Sequence, residues 1–402
     1  MPKKPLKVLF HMGVKEYKEE YERRFNDEYT ILLPVKIGDN SAFICQTHEI
    51  LKRIIAIERL DKKVDKFVKH LPGVALDQFT RESLIDEILL TNDIEGVHST
   101  RKEIGEILQD ISSHNKRNRF VGLITKYVML ERHQSMSFKT CQDIRKVYDD
   151  IFYEEIKAND PNNLPDGKIF RNSGVDVLSA TQKIIHKGLM PESKIIETFE
   201  QSLAVLNDDN IDIFIRIAVF HYLFGYIHPF YDGNGRTSRF ISSYLLSRQL
   251  TPLIGYRLSY TIKEDKSKYY KAFDICNNPY NKGELTPFVE MFLEIIEKSM
   301  LQLLETLEEK NTRLKFYQKA VRKLPKSDYK DLNKLYFYLI QAALFSNIGI
   351  SRDELKTEME ISLSTLKKRL DLIPNQLLII NKQKNTKFYQ LNLEEVDKLF
   401  EE

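Results

Sequence analysis

The apolar residues of this chain recur at helical spacing over long stretches that few glycines or prolines interrupt. The 402 residues include only 15 glycines and 13 prolines. Apolar residues three and four positions apart lie on one face of a helix, and that face can pack against a core. Such stretches cover residues 79–94, 120–133, 211–226 and 287–308. We therefore predict a mainly α fold.

Chain length and composition indicate a globular protein of more than one domain. Hydrophobic residues make up 42% of the sequence, enough to bury a sizeable core. The 61 Lys and Arg nearly balance the 58 Asp and Glu, so charge alone indicates neither nucleic acid nor a membrane surface as partner. The three cysteines are widely separated and match neither a disulfide framework nor a zinc site. Without a signal-peptide pattern or an apolar run of membrane-spanning length, we expect a cytoplasmic protein that binds no membrane.

Four parts follow one another along the chain. We predict an N-terminal lobe at 1–75, a helical core at 76–305, a helical linker at 306–330 and a last domain at 331–402. The lobe combines a charged helix with two β-prone pieces, at residues 16–26, 30–36 and 42–45. In the last domain three helices precede two β-prone pieces, at residues 334–346, 351–359, 362–372, 377–380 and 388–391. That order predicts a winged-helix-like α+β module.

A short region of the core departs from helical periodicity. Between residues 161 and 191, Pro, Asn and Gly punctuate two β-prone pieces, 168–172 and 175–178. Ser173 and Gly174 separate the two pieces. This pattern predicts a small β-hairpin.

Twelve residues between two predicted helices carry the strongest chemical signal. Residues 228–239 read His-Pro-Phe-Tyr-Asp-Gly-Asn-Gly-Arg-Thr-Ser-Arg. Gly233 and Gly235 let backbone N–H groups approach a ligand at the positive end of the following helix. Arg236 and Arg239 lie three apart in its first turn, so both guanidinium groups can reach one polyphosphate. The loop therefore predicts a triphosphate site.

Two more side chains of this loop bring chemistry to it. Asp232 is its one acid, and a carboxylate beside phosphates suits a Mg²⁺ ion. His228 is of the type that takes a proton near neutral pH, so it can activate a hydroxyl that attacks phosphorus. Each residue alone has an ordinary explanation, such as a helix-ending histidine, a glycine turn or a solvated arginine. Their combination at this spacing favours phosphoryl or nucleotidyl transfer.

The twelve residues resemble the signature of the Fic family, His-Pro-Phe-x-Asp-Gly-Asn-Gly-Arg-x-x-Arg, without a departure. The resemblance implies a helical Fic core, with a Fido domain at about residues 140–300, that transfers AMP from ATP to a Ser, Thr or Tyr hydroxyl of a target protein. It implies that His228 is the catalytic base and that Asp232 binds Mg²⁺. The nucleotide-binding residues implied are Asp232, Gly233, Asn234, Gly235, Arg236, Thr237, Ser238 and Arg239. Other nucleotide donors stay open at this point.

Two further segments resemble parts of Fic proteins that surround the nucleotide. The hairpin resembles the Fic flap, which holds a target segment by strand addition; this implies that Val175, Asp176, Val177 and Leu178 line the ATP site. Downstream, Tyr269 and Asn277 resemble a segment near the adenine, where a ring stacks and an amide bonds with the base. Ordinary packing explains the tyrosine as well.

Residues 91–96, Thr-Asn-Asp-Ile-Glu-Gly, are a second informative segment. Thr91 and Glu95 lie on one helical face, and a carboxylate at a helix C-terminus is unfavourable unless a cation pairs with it. A solvated glutamate before a helix-ending glycine is the ordinary explanation. The segment resembles the Fic inhibitory motif on a helix at 79–96, which implies that Glu95 pairs with Arg239 and restrains the enzyme. In some relatives this glutamate instead positions a water that removes AMP from the target.

The partners follow less directly from the sequence. Lys367, Lys368 and Arg369 in the last domain suit a DNA backbone, a protein partner or plain solvation equally. A DNA-binding regulator with a nucleotide-sensing Fic core is therefore the alternative function. A homodimer is compatible with the sequence but cannot be derived from it.

Overall fold

The computed structural model describes residues 4–111, 119–178, 184–325 and 331–401. Helices form most of this part of the chain and the sheets are small, so the predicted mainly α class is confirmed. The chain divides into two compact units, one within residues 1–61, 87–99 and 107–300, the other within 62–86, 100–106 and 301–402. The four-part division made from the sequence stays a prediction. None of the described helices has the length and apolar character that crossing a membrane requires.

The helices and strands are numbered in chain order. The helices are α1 (Leu6–Met12), α2 (Val14–Phe25), α3 (His48–His70), α4 (Gly73–Ile94), α5 (Arg101–Asp110), α6 (Val121–Glu131), α7 (Cys141–Asn159), α8 (Glu192–Leu206), α9 (Ile213–Ile227), α10 (Asn234–Gln249), α11 (Leu258–Glu264), α12 (Lys266–Asn277), α13 (Thr286–Ala320), α14 (Leu332–Phe345), α15 (Arg352–Met359), α16 (Leu363–Leu370) and α17 (Leu393–Glu401). The strands are β1 (Thr30–Ile37), β2 (Asn40–Cys45), β3 (Asp176–Leu178), β4 (Ile184–Lys187), β5 (Ile350–Ser351), β6 (Leu378–Gln383) and β7 (Thr386–Leu391).

Helices α9 and α10 form the buried centre of the first unit and flank the loop at 228–233. Helix α9 begins at Asp212, whose carboxylate accepts the Phe214 N–H at 2.9 Å. Its sequence is apolar nearly all round and almost all of its residues are buried, as expected of a helix with neighbours on every side. Helix α10 is buried along most of its length as well, including Arg236, Arg239 and its serines. Those polar groups need partners inside the protein.

The N-terminal strands belong to the same unit as this centre. Strands β1 and β2 pair in antiparallel fashion, from Thr30 opposite Cys45 to Ile37 opposite Asn40. The Phe43 N–H donates to the Gly283 carbonyl at 3.1 Å. This last bond joins β2 to the connection between α12 and α13.

A hairpin exists in this region, but one of its two strands is not the predicted one. Strand β3 pairs with β4, which follows it in sequence, and residues 168–172 are not a strand. The reason is that their backbone donors are used elsewhere. One carboxylate, that of Glu192, accepts the N–H groups of three of them at 2.7–2.9 Å, namely Lys168, Ile169 and Phe170. The next two N–H groups donate to the Pro229 carbonyl and to the Asp166 carboxylate.

The C-terminal part of the second unit contains the predicted helices and one more strand than expected. Strand β5 lies between α14 and α15 in the chain, β6 and β7 follow α16, and in the sheet β7 lies between β5 and β6. Strand β5 has two residues, too few for an alternating pattern, and the sequence analysis did not identify it. It also missed α17. The winged-helix assignment stays a prediction.

The basic residues of α16 give the DNA alternative no support. Arg369 pairs with Asp331 at 2.9 Å, so its charge is already balanced within the unit. Lys367 and Lys368 are exposed, as on an ordinary solvated face.

We predict that Glu192→Ala exposes the segment at 168–170 to solvent exchange. Burial raises the pKa of Glu192, but the three N–H groups outweigh burial and hold the pKa below its ordinary value of 4.5. Losing this acceptor should lower local stability by about 1–3 kcal/mol, measured as faster amide hydrogen exchange at these residues. Because the folded pKa is depressed, the contribution is present above pH 4.5 and is lost as the pH falls, so variant and wild type should converge in acid.

Glu197→Ala is the matched control for this prediction. Glu197 lies on the same helix and is exposed. Its replacement should leave exchange at 168–170 unchanged. Equal protection in the Glu192→Ala variant and the wild type would contradict the assignment.

Candidate functional site

A cleft of about 670 Å³ in the first unit brings most of the predicted site residues together. This volume is within the range of small-molecule sites. The predicted residues that line it are Glu95, Val177, His228, Asn234, Gly235, Ser238, Arg239, Tyr269 and Asn277. The lining also includes residues that the sequence analysis did not single out, among them His186, Lys271, Phe273 and Asp274.

His228 stands at the end of α9 in a left-handed backbone conformation, with φ of 52°. Its N–H still bonds to the Phe224 carbonyl at 3.0 Å, and the left-handed turn then directs the chain out of the helix. Burial lowers the pKa of His228 to about 4, although the nearby Glu95 carboxylate raises it. The backbone of Gly225 also acts to raise the pKa of His228. The imidazole is therefore neutral at pH 7 and keeps one ring nitrogen as an acceptor.

The start of α10 is built by side chains of the loop itself. The Asn234 side chain accepts the Phe230 N–H at 3.0 Å and donates to the Phe230 carbonyl at 2.7 Å. Gly233, with φ of 77°, occupies the position before the helix, and the Thr237 hydroxyl donates to its carbonyl at 2.7 Å. The Ser238 hydroxyl bonds to the Gly235 carbonyl at 3.1 Å. Asn234 and Thr237 thus use their side chains to hold the loop, which directs the first N–H groups of α10 toward the cleft.

Asp232 is the accessible acid of the loop, with a side chain 53% exposed. One of its oxygens accepts the Gly233 N–H at 2.5 Å, and the other lies 3.6 Å from Arg236. The described residues contain no cluster of three or more His, Cys, Asp or Glu suited to a metal. Mg²⁺ is commonly held by one or two carboxylates together with substrate phosphates, so a single accessible carboxylate fits this ion.

Arg236 is buried, does not line the cleft, and has its charge balanced by a carboxylate of α7. Its guanidinium pairs with Glu155 at 2.7 Å and lies 4.4 Å above the centre of the Phe152 ring. An ion pair together with a cation–π contact fixes the orientation of a planar guanidinium. The sequence analysis identified neither partner, because both lie on α7, far away in the sequence.

Arg239 joins α10 to the end of α4. It pairs with Glu95 at 2.8 Å and donates to the hydroxyl and the carbonyl of Thr91 at 2.8 and 2.9 Å. The Arg239 side chain is 1% exposed and that of Glu95 is 32% exposed. Burial would raise the pKa of Glu95, but the charge and hydrogen bond of Arg239 outweigh it and lower the pKa. The carboxylate is therefore ionised at neutral pH, and Thr91 and Glu95 use one helical face as the sequence indicated.

The Glu95 carboxylate also lies directly against the backbone of Gly235. A Cβ atom built on Gly235 would overlap this carboxylate. The Glu95 side chain therefore occupies space at the N-terminus of α10, next to the N–H groups expected to bind phosphate. Two cations hold this end of α4: Lys266 donates to the Ile94 carbonyl at 3.0 Å, and Lys263 pairs with Asp93.

The hairpin contributes one predicted residue and one unpredicted residue to the cleft. Val177 lies opposite His186 in the pairing of β3 with β4, and both line the cleft. The Asp176 side chain is exposed, Val175 bonds through its carbonyl to the Gly188 N–H at 3.0 Å, and the Leu178 side chain lies outside what the structure describes. The sequence analysis missed His186 because it placed the partner strand before β3, whereas β4 follows β3.

At the opposite end, Tyr269 and Asn277 line the cleft while bonding to other residues of the core. The Tyr269 hydroxyl bonds to His221 at 2.7 Å, and the Asn277 amide oxygen accepts from the Tyr222 hydroxyl at 2.8 Å. The Tyr269 ring is 4% exposed and also packs on the rings of Tyr270 and Phe273, as ordinary packing would place it.

We predict that the His228 imidazole stays neutral in solution down to about pH 5. The physical reason is burial, which lowers its pKa to about 4. ¹⁵N NMR of histidine-labelled protein over pH 4–8 measures this, with His228→Gln identifying the signal. Titration of the assigned signal near 6.5 would contradict the described environment.

The geometry agrees with what comparison with known proteins finds. The sequence profile described as Fic/DOC family matches residues 138–246. The protein adenylyltransferase Fic of Drosophila ananassae is 29% identical over 252 residues, which are 61% of this chain and 46% of that protein. The protein of the same name from Drosophila persimilis is 27% identical over 314 residues, 74% of this chain and 57% of that protein. The chain thus spans about half the length of the curated relatives it matches.

A solved structure shows the same fold. The Fic family protein from Desulfovibrio desulfuricans G20 aligns with 86% of this chain and 96% of its own, with a TM-score of 0.52 and 18% sequence identity. The residues matched by the family profile contain the whole loop at 228–239. This chain therefore carries a domain of the Fic/DOC family.

Proposed function

We propose that the chain is a nucleotidyltransferase that moves AMP from ATP to a Ser, Thr or Tyr hydroxyl of a target protein. The observation that carries the proposal is that a neutral imidazole, that of His228, and the N-terminal end of α10 line one cleft. The name of the two Drosophila relatives, protein adenylyltransferase, supports the same reaction.

The start of α10 would bind the phosphates of ATP. Backbone N–H groups at a helix N-terminus have no partners within the helix and carry partial positive charge. Gly235 has no Cβ, so an oxygen can lie close to its backbone, as the Glu95 carboxylate does. Arg239 lines the cleft and would bind a phosphate in place of Glu95, and Arg236, which pairs with Glu155, would add to the positive potential at this end of the helix. Together these groups would stabilise the negative charge that develops as pyrophosphate leaves.

His228 would accept the proton of the incoming hydroxyl. As the hydroxyl oxygen bonds to the α-phosphorus, the bond from that phosphorus to the pyrophosphate oxygen breaks, and the hydroxyl proton moves to the ring nitrogen of His228. A neutral imidazole has one unprotonated ring nitrogen, and that nitrogen would take the proton.

Asp232 would hold the Mg²⁺ ion, together with phosphate oxygens of the nucleotide. When bound, the ion neutralises phosphate charge and orients the leaving group. The pair formed by Asp232 and Arg236 keeps this carboxylate next to the phosphate-binding turn without burying it.

The remaining walls of the cleft would bind the rest of the substrates. The Tyr269 ring would stack on the adenine and Asn277 would hydrogen-bond to it. The hairpin would cover the nucleotide through Val177. An exposed strand of the hairpin would hold an extended segment of the target protein by edge pairing.

The chain would restrain its own activity through Glu95. This carboxylate already pairs with Arg239 and lies on the backbone of Gly235, so it competes with phosphate for both groups. Lys263 and Lys266 hold the helix end in place. Activity would then require either displacement of this end of α4 or loss of the carboxylate.

We predict that Glu95→Gly raises the transfer of label from α-labelled ATP to protein in the presence of Mg²⁺. Removing the carboxylate frees Arg239 and the start of α10 for phosphate, so transfer should rise by about tenfold or more over the wild type, equivalent to 1.4 kcal/mol or more. Adding His228→Ala should abolish the gain, because the base contributes about 10²–10⁴-fold. Autoradiography of the protein after a timed reaction measures the label.

Glu28→Gly is the control for a general effect of losing a glutamate. Glu28 is exposed and distant from the cleft in the sequence, so label transfer should match the wild type. Strong labelling by the variant that lacks both Glu95 and His228 would contradict the assigned base. Equal labelling by wild type and Glu95→Gly would contradict the restraint.

A further inference from the structure

Arg171 is a fully buried arginine without an ionic partner. Its side chain is 0% exposed, and no ion pair joins it to a carboxylate in the described ranges of the chain. Burying an unpaired charge costs several kcal/mol unless hydrogen bonds replace the lost water. Hydrogen bonds to backbone carbonyls take the place of that water, and one of these carbonyls belongs to His228.

The guanidinium of Arg171 bonds to backbone carbonyls of three chain segments. Its Nε donates to the His228 carbonyl at 2.8 Å, and its Nη1 donates to the Ser173 carbonyl at 2.6 Å. Its Nη2 donates to the carbonyls of Leu189 at 2.8 Å and Ile227 at 3.4 Å. One side chain thus connects the residue at the end of α9 with the segments just before β3 and just after β4.

The backbone around Arg171 closes the same junction. The Arg171 N–H donates to the Pro229 carbonyl at 3.2 Å, and the Leu189 N–H donates to the Ile227 carbonyl at 3.1 Å. Gly188 lies so close that a Cβ there would meet the guanidinium and the Cβ of His228. The guanidinium therefore has no room for a second orientation, and only its planar set of donors fits these carbonyls.

We propose that Arg171 is a positioning residue that holds His228 in its left-handed conformation and ties it to the base of the β3–β4 hairpin. The proposal rests on the role of His228 as the base in the proposed function. A hairpin that binds the target segment would then be connected to the base by one rigid set of hydrogen bonds. A small displacement of the imidazole is costly, because a misplacement of about 1 Å can lower a rate by about 10²-fold.

The charge of Arg171 gives the proposal a readout that a purely structural role would not have. Besides burial, three charged or titratable groups act on the pKa of the His228 ring: Glu95 from α4, His186 from β4, and Arg171. Glu95 raises the pKa of His228, whereas His186 and Arg171 lower it. Removing the Arg171 charge should therefore raise the pKa of His228 above about 4.

The test uses Arg171→Met and Arg171→Lys in the full chain. Methionine keeps an apolar stem but removes the charge and all hydrogen-bond donors. Lysine keeps the charge but lacks the planar set of guanidinium donors. The His228 pKa is measured by ¹⁵N NMR without nucleotide, and AMP transfer is measured in the Glu95→Gly background. For Arg171→Met we expect a raised His228 pKa and a kcat lowered by about 10²-fold, with little change in the KM for ATP because the phosphate-binding groups are intact.

For Arg171→Lys we expect a lowered kcat and a His228 pKa close to that of the wild type. Arg216→Met is the matched control: Arg216 lies on α9, and its partners are Asp209 and the Leu206 carbonyl. It should leave the pKa and kcat unchanged. An Arg171→Met protein with wild-type pKa and kcat would overturn the proposal.

The test still decides if Arg171→Met fails to fold or if the proposed function fails. If Arg171→Met does not fold, Arg171→Lys decides, and an unchanged kcat in that variant overturns the proposal. If Glu95→Gly itself transfers no AMP, the proposed function fails, but the His228 pKa still tests Arg171. A wild-type His228 pKa in a folded Arg171→Met protein would then overturn it.

Discussion

The ion pair between Glu95 and Arg239 is the interaction on which the site depends. Arg239 is almost fully buried, and removing the anionic partner of a buried guanidinium is strongly destabilising when nothing replaces it. Its two bonds to Thr91 satisfy donors but bring no negative charge. An anion beside Arg239 therefore stabilises the site. In the described structure this anion is the Glu95 carboxylate, and in the proposed reaction it is a phosphate of ATP.

The rest of the site keeps this position ready for either anion. Asn234 and Thr237 hold the loop so that α10 begins at the cleft. The ion pair with Glu155 and the contact with the Phe152 ring fix the orientation of Arg236. Because these contacts lie within the protein itself, the groups proposed to bind phosphate would need little reorganisation, and preorganised charge is an effective form of electrostatic stabilisation. At the other end of the loop, Arg171 fixes the backbone of His228 through carbonyl groups.

The sequence predicted those parts of the site whose chemistry is contiguous in the chain. Residues 228–239 supply the base, the acid, the turn and both arginines within twelve positions, and Glu95 stands out as an acid at a helix C-terminus. The partners that complete the site are distant in sequence: Glu155 lies 81 positions before Arg236, and Arg171 lies 57 before His228. The predicted strand at 168–172 was wrong for the same reason. The distant Glu192 carboxylate accepts the backbone N–H groups of residues 168–170, which are then not available to a strand partner. A two-residue strand such as β5 is too short to have a pattern.

The central claim is that Glu95 and ATP compete for Arg239. The most direct test is a double-mutant cycle in ATP affinity, measured by calorimetric titration with Mg²⁺ for the wild type, Glu95→Gly, Arg239→Met and the double variant. The account predicts that Glu95→Gly binds ATP about tenfold more tightly, a gain of about 1.4 kcal/mol, and that most of this gain is lost when Arg239 is replaced by methionine. A gain of the same size in the Arg239→Met background, or no gain with Arg239 present, would contradict it.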